Sequence, residues 1–161
     1  MRKSSLSRIF FPSRSKTRLR NILQLGILLE ERGEEFYGDC AEKAQDAGVR
    51  ELFRKLADDE VEHRKLIEDQ LARWEPLPVR KKTLERLDPG GTVLRLFSSP
   101  PSPGAGKREI IDFALNVERQ MVSFYEDFRS EFPERWKMAK LEGMVEEEKG
   151  HIRDLNELLE S

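Results

Sequence analysis

Residues 141–155, Leu-Glu-Gly-Met-Val-Glu-Glu-Glu-Lys-Gly-His-Ile-Arg-Asp-Leu, decide the fold. Leu141, Met144, Val145, Ile152 and Leu155 recur at steps of three and four, and Leu158 and Leu159 continue the series. That is the period of an α-helix burying one apolar stripe. Its centre is broken by Glu148 and His151, which lie one turn apart on the same face. A carboxylate and an imidazole in the middle of a buried stripe are costly unless something pairs with them.

The pattern occurs twice. Laid over 109–159 at a constant offset of 88, residues 21–71 match without a gap. Ile22 meets Ile110, Glu30 meets Glu118, and Phe36-Tyr37 meets Phe124-Tyr125. Asp39 then meets Asp127, Glu60 meets Glu148, His63 meets His151, and Leu71 meets Leu159. The chain has two histidines and two tyrosines, and all four fall into register. An internal repeat of this kind predicts two copies of one supersecondary unit.

Working outward, apolar spacing predicts four helices, over about 19–46, 49–74, 107–131 and 134–159. Asp46-Ala47-Gly48 breaks the first pair, and Pro133 marks the junction of the third and fourth helices, where a first-turn proline is tolerated. Short breaks make each pair an antiparallel hairpin. Residues 75–107 hold six of the eight prolines, including Pro100, Pro101 and Pro103, together with Gly90-Gly91. They read as a long connection, with a helical turn near 80–87, crossing the length of a bundle. The expected organisation is a basic arm over 1–18, disordered or loosely docked, and a bundle over 19–161. The bundle divides into hairpins at 19–74 and 108–161 around the crossover at 75–107. The fold class is all-α, a four-helix bundle of two hairpins.

Composition removes other classes. With 161 residues the chain fits one domain, and no run of 18 apolar residues exists to span a membrane. Cys40 is the only cysteine, so an intrachain disulfide, a zinc ribbon and a four-cysteine iron site are excluded; it reads as a small buried hydrophobe. Arg2, Lys3, Arg8, Arg14, Lys16, Arg18 and Arg20 give the first twenty residues +7, so a total of -2 leaves the rest at -9. No nucleic-acid motif accompanies the basic residues, and nucleic-acid binding is not expected. The expected location is cytoplasmic.

The inward positions carry the chemistry. The first helix presents Leu23, Ile27, Glu30, Gly33 and Tyr37, and the second Phe53, Leu56, Glu60, His63, Ile67 and Leu71. The third presents Ile111, Ala114, Leu115, Glu118, Met121 and Tyr125. Four facing carboxylates need positive charge, yet no Lys or Arg stands among them. Two divalent cations balance that charge, with Glu60 and His63 serving one and Glu148 and His151 the other. Mixed oxygen and imidazole donors suit iron or manganese, with zinc possible.

The spacings Glu30-x6-Tyr37 with Glu60-x2-His63, and Glu118-x6-Tyr125 with Glu148-x2-His151, resemble the rubrerythrin branch of the ferritin-like superfamily. The stretches EERGEEFY, LADDEVEH, NVERQMVSFY and VEEEKGH carry the resemblance across both hairpins. It implies two iron ions bridged by Glu60 and Glu148, with Glu30 and Glu118 as terminal ligands and one nitrogen each from His63 and His151. It implies that Tyr37 and Tyr125 are hydrogen-bond partners that orient those carboxylates or shuttle protons and electrons. The activity implied is reduction of peroxide or dioxygen, or oxidation of ferrous iron, in the chemistry of oxidative stress. A homodimer is expected on the same ground.

Two departures from the family pattern matter. The four-cysteine rubredoxin-like domain of typical rubrerythrins has no counterpart, so a reductase would need an external electron donor. Where they place an extra carboxylate one turn after the third-helix ligand, this chain has Met121, and Glu34 is the neighbour that would compensate if it did not face solvent. The alternatives are a non-catalytic iron-binding module for buffering or delivery, and a zinc-bound or metal-free interaction scaffold. Glu31, Glu35, Glu62, Glu146 and Glu147 read as solvated surface, Trp74 and Trp136 as packing at helix ends, and Met121, Met138 and Met144 as core fillers. The two tyrosines also fit a plain core role.

Overall fold

The computed structural model describes residues 16–73, 91–102 and 104–161. Trp74, the turn expected near 80–87 and residues 1–15 of the basic arm lie outside them. Helix α1 spans Lys16–Lys43, α2 spans Ala47–Ala72, and a short α3 spans Thr92–Leu96. Helix α4 spans Lys107–Phe128 and closes with a 3-10 turn at Arg129–Glu131. The last helix, α5, starts at Glu134–Trp136, passes a π turn at Lys137–Leu141 and runs on through Glu142–Glu160. Helix α1 packs on α2 and α4 on α5, so two hairpins make one bundle. No strand occurs among the described residues, and none of their helices is long and apolar enough to cross a membrane.

Local chemistry sets the boundaries. Asp46 is the N-cap of α2, its carboxylate accepting from Val49 N at 2.9 Å. That capping draws Ala47 and Gly48, expected in the break, into the first helical turn. Helix α1 begins at Lys16, so Arg18 belongs to it rather than to an arm, and it pairs with Glu131 at 3.0 Å. Pro133 marks the junction as expected, the residue just before α5, its carbonyl accepting from Lys137 N at 2.9 Å.

Two points of packing differ from the expected pattern. Helix α1 is buried on every side from Asn21 to Glu30, including Ile22, Leu25 and Leu29 off the expected stripe. Part of that cover comes from the connection, where Val93 of α3 is fully buried in the same apolar cluster. Met138 is not a core filler: it sits on the π turn and is 68% exposed, whereas Met121 and Met144 are buried as expected. A π turn inserts one residue into the helical register and swings its side chains around the axis. Trp136 packs at the helix end as expected, its ring stacked on Phe132 at 5.2 Å.

Six polar side chains separate the core into two apolar clusters. One holds Leu23, Ile67, Met121 and Tyr125, the other Phe53, Leu56, Ile111 and Tyr37. The repeat thus appears in space as two apolar blocks, each with one tyrosine, facing each other across a polar layer.

Candidate metal centre

The polar layer is made by one side chain or pair from each long helix. Glu30 comes from α1, Glu60 and His63 from α2, Glu118 from α4, and Glu148 and His151 from α5. All are fully buried except His151, at 2%. Two sets of donor atoms each fall within 4.8 Å: Glu30, Glu60, His63 and Glu148, and Glu60, Glu118, Glu148 and His151. Glu60 and Glu148 belong to both sets. Glu148 straddles them, one oxygen 3.0 Å from His63 Nδ1 and the other 3.1 Å from His151 Nδ1. Glu30 Oε2 is 3.5 Å from His63 Nδ1, and Glu118 Oε2 is 3.4 Å from His151 Nδ1.

These atoms converge without satisfying one another. Glu30 Oε2, both oxygens of Glu60, His63 Nδ1, Glu118 Oε2 and Glu148 Oε1 are buried and have no hydrogen-bond partner. Buried polar atoms are normally paired, so six orphans in one cluster call for an occupant. Donors about 3 Å apart are the spacing expected around a cation with bonds of roughly 2.1 Å. Carboxylate and imidazole are the donor set of iron, manganese or zinc. The residues of each donor set therefore could hold a divalent metal ion.

Hydrogen bonds that cross between helices fix the set. Tyr37 donates to Glu118 Oε1 and Tyr125 to Glu30 Oε1, so each tyrosine holds the carboxylate of the opposite half and leaves its second oxygen facing inward. Both hydroxyls have pKa values pushed well up, first by burial and then by the neighbouring carboxylates, so they remain protonated donors. The histidines are tied from outside. His63 Nε2 meets Glu147 at 2.9 Å, and His151 Nε2 meets Asp59 at 3.1 Å. With Nε2 donating to a carboxylate, Nδ1 is turned to the centre. The two rings stack 5.9 Å apart.

Without cations, protons carry the compensating charge. Burial, followed by Glu148 and Glu30, raises Glu60 well above the carboxylate range. Burial and the Glu148 charge raise Glu118 to about 8, against the pull of His151. Burial opposes charge on His151, but hydrogen bonds to Glu118 and Glu148 outweigh it and raise the imidazole to about 10. His63 is raised as well, its burial outweighed by the carboxylates of Glu148, Glu30 and Glu60 gathered around Nδ1. Burial alone would raise Glu148, yet the two histidines flanking it hold it well below its ordinary value.

The structure brings together all eight residues singled out by the spacing: six in the two donor sets and two tyrosines bonded to members of them. Glu34 is not among them; it pairs with Arg64 at 2.7 Å on the bundle's flank. Met121 is fully buried in the core. Sequence reading missed Asp59 and Glu147. Glu147 is exposed as expected, but its carboxylate reaches His63. The signal was present, since 59 and 147 are also related by the offset of 88 and each precedes a shared glutamate. Gly33 has a role as well, because a Cβ there would come 3.2 Å from the Glu60 carboxyl carbon.

Cutting one outside tie should separate orientation from coordination. Glu147→Gln or Asp59→Asn is expected to lower metal affinity about 10- to 100-fold with little change in fold, measured by competition with a chromophoric chelator. Unchanged affinity in both variants would mean that the imidazoles are held by packing alone.

The family model described as Rubrerythrin, a ferritin-like di-iron family, matches residues 21–97. The span includes Glu30, Glu60 and His63 and ends before Glu118. The second half of the centre therefore stands on the internal repeat and on geometry. No curated protein and no solved structure matches the chain.

Proposed function

We propose that this rubrerythrin-type bundle is a di-iron carboxylate oxidoreductase that reduces peroxide or dioxygen, oxidises ferrous iron, or both. The supporting observation is the pair of donor sets sharing Glu60 and Glu148, lined by buried atoms that have no other partner. Glu30, Glu60, His63 and Glu148 would hold one ion, and Glu60, Glu118, Glu148 and His151 the other. Bound iron would supply one-electron redox chemistry at each position.

The chain's own residues set the conditions for that chemistry. Tyr37 and Tyr125 keep a proton at Glu118 Oε1 and Glu30 Oε1, where an oxidant needs protons as it is reduced. Asp59 and Glu147 hold the imidazoles in place from the solvent side. Apolar blocks above and below, with Phe53 and Phe124 fully buried, exclude bulk water and lower the local dielectric. An electron donor from outside the chain completes the cycle if oxidant reduction is the activity.

A second reading, iron binding without turnover for buffering or delivery, is favoured by Met121, which is fully buried where a catalytic relative would carry another carboxylate. One experiment separates the two. Protein loaded anaerobically with ferrous iron is mixed with peroxide or air. The oxidoreductase reading expects oxidant consumption and a near-ultraviolet band of oxidised di-iron within the mixing experiment. Iron that stays bound and ferrous would leave the binding reading.

A further inference from the structure

Glycine weakens a helix interior, yet α1 carries three, Gly26, Gly33 and Gly38. The first two flank Glu30 on its inward face, four residues before it and three after, and both are buried. A Cβ at Gly26 would lie 3.2 Å from Ile67 Cδ1 and 3.3 Å from the Tyr125 hydroxyl. A Cβ at Gly33 would lie 3.2 Å from the Glu60 carboxyl carbon, 3.3 Å from its Cγ and 3.4 Å from Oε1. At Gly38 nothing stands within 4 Å. The offset of 88 places Ala114 and Met121 opposite Gly26 and Gly33, so the repeat itself does not demand glycine there. The two notches belong to α1.

We propose that Gly26 and Gly33 are positioning residues of the metal centre, Gly33 seating the Glu60 carboxylate and Gly26 the Tyr125 hydroxyl. That role presupposes that the six buried side chains hold metal, and it names what aims two of their carboxylates. Glu60 is fully buried and neither of its oxygens has a hydrogen-bond partner, so packing places the carboxylate. On the α1 side that packing is the bare backbone at Gly33. Both donor sets include Glu60, so a displacement there reaches both.

Tyr125 acts on one set alone. Its hydroxyl donates to Glu30 Oε1, and Glu30 belongs to a single set. A methyl group at position 26 would press on buried Ile67 and on that hydroxyl, turning the phenol away from Glu30. Misplacing a group that orients a ligand typically costs metal affinity rather than the fold.

The test uses the full-length protein. Cobalt(II) is titrated into the metal-free form, with visible absorption and chelator competition as readouts, and melting of the metal-free form is followed alongside. Gly38→Ala is expected to raise the melting temperature by roughly 2–4 °C and to leave cobalt binding unchanged. Gly33→Ala should melt cooperatively, weaken both cobalt positions about 10- to 100-fold and alter the visible spectrum. Gly26→Ala should weaken one position and spare the other. In a Tyr125→Phe background, Gly26→Ala should change cobalt binding no further, because the hydroxyl it displaces is gone.

Wild-type affinity and spectrum in Gly33→Ala and Gly26→Ala would overturn the proposal. So would an equal loss in Gly38→Ala, which would assign the effect to the stiffness of α1. Loss of folding in Gly33→Ala would make that notch structural and overturn its positioning role, and the Gly26 and Tyr125 pair tests the other notch independently. Wild-type protein that takes up no cobalt would overturn the metal reading and the positioning role together.

Discussion

Glu148→Ala is expected to abolish loading at both metal positions, whereas Glu30→Ala should retain about half of the metal. The difference follows from the position of Glu148 between the histidines. One oxygen lies 3.0 Å from His63 Nδ1 and the other 3.1 Å from His151 Nδ1, so its loss removes a donor from each set. Glu30 belongs to one set only. Metal content after ferrous loading and desalting, by elemental analysis, checks both. Equal loss in the two variants would mean that the positions fill cooperatively, and retention of both metals in Glu148→Ala would remove Glu148 from the ligand set.

Folding must be separated from binding in that experiment. Without metal, Glu148 is the ionised group between two charged imidazoles, and deleting one partner of such a buried cluster costs about 3–5 kcal/mol. Glu148→Gln keeps the volume and a hydrogen-bonding oxygen but not the charge. A Glu148→Gln variant that melts cooperatively and still binds no iron would assign the loss to coordination.

The sequence made the centre legible because a bundle core is otherwise apolar, so each buried glutamate interrupts an easily read stripe. The doubled spacing then removed chance as an explanation, since both histidines and both tyrosines share one register. Glu30, Glu60, Glu118 and Glu148 are fully buried on those stripes. Asp59 and Glu147 were not legible in this way, because a carboxylate at the edge of a charged run looks the same whether it meets water or an imidazole. The π turn at Lys137–Leu141 escaped for a different reason: it changes the register of a helix without any residue type that marks it, and Met138 was assigned inward accordingly. The cover on the outer side of α1 depends on where the connection lies, and periodicity within one helix contains no information about that.

A reversal in the pH dependence of stability is the second large effect expected. Take the metal-free protein first. Unfolded glutamate titrates near 4.3 and histidine near 6.5. In the folded state Glu118 is raised to about 8, Glu60 is raised well above its ordinary value, and His151 is raised to about 10. From about pH 5 upward the folded protein therefore holds more protons than the unfolded chain, and stability falls as pH rises. The contribution of Glu118 is complete below the unfolded value and is lost as pH rises toward about 8, while that of His151 is lost between about 6.5 and 10. Glu148 acts in the opposite sense, because its depressed value makes its contribution disappear only in acid. Each proton held by the fold but not by the chain is worth about 1.4 kcal/mol per pH unit. Two such carboxylates between pH 6 and 8 amount to a melting shift of roughly 10 °C or more in a chain of this size. Cations reverse the sign, since they favour the ionised carboxylates and compete with the same protons. Metal-loaded protein should gain stability from pH 5 to 7 and release protons on binding, while metal-free protein loses stability from pH 6 to 9. Melting curves at one-unit intervals, with and without a chelator, check this. Parallel curves for the two forms would mean that protons and metals do not share the six buried side chains.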